Sequence, residues 1–176
     1  MKIEVIFAAI SVATSLFALG IAALSTRRQW RSARNANAVS SILTLFEEYR
    51  TEDLRVARRL VFKLAEYPTD LNPTLTQLPA DTRVAAERVA HYFDHVGLLV
   101  GYSLIPAGPM ISFFGYGCTE LWKKLEPYVA AERRLRGVNH YLGYFEGFAR
   151  VAREVDADAL NGKVVKNMRS RGVTMR

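Results

Sequence analysis

The residues best suited to metal chemistry are His91 and His95, four apart and so on one face of a helix, with Glu87 one turn earlier. Two histidines at that spacing can hold a metal ion, as they do in HExxH proteins. Here Tyr92, Phe93 and Asp94 stand between them, so the glutamate that acts as general base in that motif is missing. Asp94 could join a His-His-carboxylate set. The only other histidine is His140, and no third ligand has metal-site spacing. A helix with two ordinary histidines is the preferred reading, and no metal and no cofactor are expected.

Asp94 is the more informative carboxylate. Tyr92, Phe93, Val96 and Leu98 surround it on a helix that is apolar nearly all round, so its charge needs partners. Arg133, Arg134 and the tyrosines of the last helix are candidates, and Glu146 can join the same network. A structural reading makes this a buried ion pair that fixes helix register. A functional reading makes Asp94 an acid with a shifted pKa. No G-x-x-x-x-G-K-[ST], G-x-G-x-x-G or G-x-S-x-G motif accompanies it, so the structural reading is preferred and no catalytic residue is assigned.

These residues need helices to position them, and the sequence supplies little else. Apolar residues recur at helical spacing from Asn37 to Arg50, then again after Thr51, whose position before Glu52 and Asp53 suits an N-cap. That second helix stops before Pro68. Pro68 to Pro79 reads as a connection, followed by a helix from Asp81 or Thr82 to Val100. A further helix runs from about Cys118 to Leu135 with Pro127 inside it, and a last one from about Asn139 to Val155 with a wide aromatic face. Gly143 and Gly147, four apart, would allow close helix approach. No alternating strand pattern occurs, so the fold class is all-α.

Two uncharged runs bear on location. Val5 to Leu24 is twenty residues without a charge, about 30 Å of helix, the thickness of a bilayer's hydrocarbon core. The run is long for a signal peptide, and Arg27, Arg28, Arg31 and Arg34 follow it directly. This predicts an uncleaved signal anchor: a single-pass transmembrane helix in the inner membrane, N-terminus outside and the domain in the cytoplasm. Cleaved-signal and buried-helix readings are the alternatives. The second run, Val96 to Thr119, is broken by Pro106, Gly108 and Pro109. It reads as two helices meeting at a buried turn, with a re-entrant or spanning hairpin as the alternative.

The expected organisation is therefore an anchor over 1–26, a basic collar over 27–36, a compact bundle of about five helices over 37–158, and a basic tail over 159–176. The net charge of +7 comes from the ends: the collar and the tail are basic, and the residues between them are slightly acidic. A basic nucleic-acid-binding body is therefore not implied. The single Cys118 excludes an internal disulfide and a CxxC metal site. Lys163, Lys166, Arg169 and Arg171 in the tail, like the collar arginines, suit anionic lipid head groups. The tail has no aromatic residue to stack on bases, which disfavours nucleic acid.

Tyr92-Phe93-Asp94-His95-Val96-Gly97, Leu121-Trp122-Lys123-Lys124-Leu125-Glu126-Pro127-Tyr128-Val129 and Tyr144-Phe145-Glu146-Gly147-Phe148 together resemble an uncharacterised bacterial family. Its members pair one N-terminal span with a compact all-helical domain, and the likeness covers about Asn35 to Val155. The resemblance implies that architecture and no activity. Three function classes follow. The first is a membrane-tethered helical interaction module or accessory subunit, with a protein partner or a homo-oligomer. The second is a membrane-anchored enzyme using the Asp94, Glu146 and Arg134 region or a histidine-bound metal. The third is nucleic-acid tethering by the basic tail.

Overall fold

A computed structural model describes residues 2–64 and 74–155 and the single positions 162, 166 and 170; before residue 36, side chains are described only at 14–27 and 29. Every regular element among these residues is helical. In order they are α1 (Lys2–Arg50), α2 (Glu52–Phe62), a single 3-10 turn (Leu75–Gln77), α3 (Ala80–Gly101), α4 (Ala107–Arg136) and α5 (Gly143–Glu154). The chain divides into two units, Met1–Ser41 and Ile42–Arg176.

In the first unit the expected anchor is corrected. No helix is long and apolar enough to cross a membrane among the described residues. Within the described side chains the helix carries Thr14, Ser15, Ser25 and Thr26, which lower its apolar character. The part of the run before Thr14 lies outside the described side chains, as does Trp30. The transmembrane helix, the single-pass signal-anchor topology and the inner-membrane placement built on it therefore do not stand. Nor does the alternative of a second span: α3 ends at Gly101 and α4 starts at Ala107, so Val96 to Thr119 is no continuous helix.

In the second unit the helix breaks have local causes. Thr51 ends α1 and starts α2: its hydroxyl donates to Glu48 O at 2.7 Å and accepts from Leu54 N at 3.4 Å. Glu52 and Asp53 follow on the positive end of the α2 dipole. Pro106 is the N-cap of α4, with Pro109 in its first turn. Proline is tolerated there because first-turn N–H groups have no partner within the helix. The Pro-Gly cluster thus opens α4 eleven residues before the expected start at Cys118. The turn before it is also more exposed than expected. Tyr102 and Leu104 are 65% and 55% exposed, and Ile105 alone is buried in that turn. At the other end, α4 stops at Gly137, whose φ of 66° is left-handed.

The core lies between α2, α3, α4 and α5 and is largely aromatic. Phe93, Phe114, Tyr128 and Phe145 are fully buried. Phe93 stacks on Phe145 with ring centroids 5.3 Å apart, and Trp122 meets Phe145 edge-on at 4.9 Å. Tyr49 near the end of α1 joins this cluster, with Phe114 edge-on at 4.9 Å. Arg58 of α2 lies over the Tyr49 ring, its guanidinium carbon 3.5 Å from the ring centre. The Tyr92 hydroxyl donates to Leu45 O at 2.8 Å, tying α3 to α1.

One glycine sets the spacing of α3 and α5. A Cβ on Gly97 would lie 2.2 Å from Tyr144 O and 2.6 Å from Tyr144 C. Gly143 and Gly147, which the sequence marks for close approach, have nothing within 4 Å of such a Cβ. The close contact is thus made by the glycine of α3.

Two predictions follow from this core. Alanine is favoured over glycine in a helix by about 1 kcal/mol, whereas overpacking costs about 1–3 kcal/mol. At Gly97 the obstacle is backbone, which cannot swing aside, so Gly97→Ala should lower the urea midpoint; an unchanged or raised midpoint would show that α5 can shift freely. The second concerns alkaline pH. Burial pushes the Cys118 thiol above its ordinary 9.0, and burial pushes the Tyr92 hydroxyl above its ordinary 10.0. The folded state therefore keeps protons that the unfolded chain releases, so stability is intact below about pH 9 and falls as pH rises beyond it. Urea unfolding between pH 7 and 11 should show this decline, with a shallower slope in Cys118→Ala. A stability curve that stays flat above pH 9 would contradict it.

Candidate functional site

The candidate polar residues meet at the start of α5. This helix has only twelve residues, and its N-cap is Leu142, in a left-handed conformation with φ 55° and no side-chain capping group. Asp94, from α3, supplies the missing acceptor. Its Oδ1 takes hydrogen bonds from Tyr144 N at 3.1 Å and Phe145 N at 3.0 Å. A carboxylate on a helix N-terminus satisfies orphan donors and opposes the dipole. Asp94 is half-buried beside fully buried Phe93.

Arg133 comes from α4 and does a related job. Its Nε donates to Tyr141 O at 2.9 Å, and its Nη2 lies 2.8 Å from Glu146 Oε2 in the first turn of α5. The expected pairing of Asp94 with Arg133 is thus replaced: the arginine meets Glu146, and the aspartate meets backbone. Arg134, one residue on, is exposed. The reason is angular, since adjacent helical residues point about 100° apart and only one of the two arginines can face α5.

A second ion pair completes the cluster, and the sequence reading missed it. Glu132 is 2% exposed and accepts from Arg136 Nε at 2.8 Å. The Arg136 guanidinium also lies over the Tyr141 ring, 4.5 Å from its centre. Glu132 and Arg136 are an i, i+4 pair, the signal that would have found them. The hydrogen bond to Glu132 holds Arg136 above its ordinary pKa. Burial raises the Tyr141 hydroxyl, against the nearby Arg136 and with the carboxylates Glu132, Glu87 and Asp94. Three side chains thus clamp the connection between α4 and α5: Asp94 holds its far end, Arg133 its carbonyl, and Arg136 its tyrosine.

The histidines do not join this cluster. His91 and His95 are exposed on α3, Glu87 is half-buried, and His140 is exposed in the turn before α5. Among the described residues no group of three His, Cys, Asp or Glu side chains could hold a metal ion. Of the basic collar and tail, Arg27 and Lys166 are exposed. The side chains of Arg28, Arg31 and Arg34, and the residues Lys163, Arg169 and Arg171, lie outside the described residues.

With this geometry established, one family model matches residues 5–153, a family described only as a domain of unknown function, DUF4760. The chain belongs to this family. The match runs from the first turns of α1 to the last turn of α5 and so includes Asp94, Glu132, Arg133, Arg136 and Glu146. The resemblance to an uncharacterised family holds at that level. No curated protein and no solved structure matches the chain.

The capping geometry makes a distinct prediction for Asp94. Loss of a capping acceptor costs about 0.5–2 kcal/mol, less than the 3–5 kcal/mol of a broken buried ion pair. Asp94→Ala should fall in the lower range, and Asp94→Asn, which keeps an acceptor oxygen, should recover most of the loss. Amide exchange at Tyr144 and Phe145 should speed up in the alanine variant. Unchanged exchange at these two amides would show that Asp94 does not cap α5.

Proposed function

We propose that this DUF4760 chain is a non-catalytic helical interaction module, an accessory subunit that works by docking another protein. Two features support the reading. The polar cluster is engaged in holding its own fold: Asp94 on two α5 amides, Arg133 on Glu146, Arg136 on Glu132. A catalytic Asp94 would need a lone pair turned to a substrate, and its Oδ1 is instead held by the amides of Tyr144 and Phe145.

The observation that carries the proposal is an outward aromatic surface on α4 and the end of α1. Tyr116 is 83% exposed and Phe113, three residues earlier, 45%. Phe113 rests on Phe46 of α1, ring centroids 4.4 Å apart, and Leu43, one turn before Phe46, is 54% exposed. Large aromatic side chains are enriched at the centres of protein interfaces, where their burial yields much free energy for little lost rotamer freedom.

A photo-crosslinking residue at Tyr116, introduced in native cells, should capture a specific partner. Phe113→Ser combined with loss of Leu43 (Leu43→Ser) should abolish capture while leaving the fold intact by circular dichroism. Asp94→Asn should leave capture unchanged. Capture lost in Asp94→Asn but retained in the aromatic-face variant would instead favour a function centred on the polar cluster.

A further inference from the structure

Tyr102 and Tyr144 meet at the protein surface with their hydroxyls together. Tyr102 is the C-cap of α3, and Tyr144 stands in the first turn of α5. The Tyr144 hydroxyl donates to the Tyr102 oxygen at 3.3 Å, and the ring centroids are 6.1 Å apart. Both residues are exposed. The backbone of Tyr144 is fixed beneath its ring: its amide donates to Asp94, and its carbonyl lies against Gly97. Tyr49 and Tyr92 make a contrasting pair. Their centroids are closer, at 5.8 Å, but Tyr92 is buried and its hydroxyl is engaged by Leu45 O.

We infer that this pair is a site of oxidative cross-linking, at which a peroxide-driven one-electron oxidant joins the two rings as dityrosine. Each phenol gives up one electron and one proton. The two radicals form a bond between carbons ortho to their hydroxyls, and the hydrogens on those carbons then pass to the oxygens, restoring both aromatic rings. In all, two electrons and two protons leave, and hydrogen peroxide takes them up to become two waters. The geometry suits this step. Turning a ring about its Cβ–Cγ bond leaves the hydroxyl oxygen in place and swings the ortho carbons around it. Oxygens 3.3 Å apart therefore keep the reacting carbons close through such turns, which exposed side chains make rapidly. The oxidant reaches this pair from solvent, whereas burial shields Tyr92. The new bond ties the end of α3 to the first turn of α5 across 42 positions of the chain. It restricts the unfolded chain as a disulfide does, and it locks the approach of α5 to α3 that Gly97 permits. The inference is independent of the docking reading.

The test uses the full chain, dilute, with hydrogen peroxide and a haem peroxidase. Dityrosine fluorescence should appear in a product that runs as a monomer on a denaturing gel and has lost the mass of two hydrogens. Its proteolytic fragments should join Tyr102 to Tyr144, and its urea midpoint should rise above that of the untreated chain. Tyr102→Phe and Tyr144→Phe should each abolish this product, because phenylalanine has no phenol to oxidise. Tyr49→Phe should leave its yield unchanged, and Tyr116→Phe should remove only covalent dimers. An intramolecular product that survives in Tyr144→Phe, or fluorescence confined to covalent dimers, would overturn the site. So would the absence of any dityrosine under conditions that couple free tyrosine.

Discussion

The close approach of α5 to α3 is the contact on which the rest of the second unit depends. Gly97 lets the backbone of Tyr144 come near enough that a methyl group would collide with its carbonyl. At that separation Asp94, three residues earlier on α3, reaches the amides of Tyr144 and Phe145 directly. The same approach stacks Phe145 on Phe93 and brings it against Trp122. A helix of twelve residues is marginal by itself in water. Here α5 is stable because packing, capping and an ion pair act on its first turn together.

The charges around this contact have one common effect. Asp94 and Arg133 meet backbone groups of the α4–α5 connection that lack backbone partners, and Arg136 covers its tyrosine ring. Leu142 in a left-handed conformation has no side-chain oxygen to cap α5, so the acceptor must come from another helix. Glu132, nearly inaccessible, stays tolerable because Arg136 sits on it and stacks over Tyr141. A cluster of acids and bases that looks catalytic by composition is, by geometry, a set of structural supports. The function we propose lies outward instead, on the exposed aromatic surface around Tyr116.

Much of the architecture was legible from residue pattern. Helical periodicity without strand alternation predicts an all-helical chain, and Thr51, the Pro-Gly cluster and Gly137 mark breaks that depend on local chemistry alone. The membrane anchor failed as an expectation because it rested on the length of one apolar run, and among the described residues no helix is long and apolar enough to cross a membrane. The start of α4 was missed because Pro106 and Pro109 look like breakers in sequence, whereas at the first turn of a helix they are permitted. Asp94, Arg133 and Glu146 could be placed together in advance by polarity.

Their pairing could not be read that way, and the reason is geometric. Sequence determined which residues need partners: a carboxylate on an apolar helix, two adjacent arginines, a short final helix. It also determined where the chain turns, since caps, prolines and left-handed glycines act within a few residues. Only the tertiary structure decided that Asp94 would meet backbone amides and Arg133 would meet Glu146. That choice depends on the rotation of α4 and on the distance between α3 and α5. Both follow from packing among residues far apart in the chain, above all from the missing side chain at Gly97.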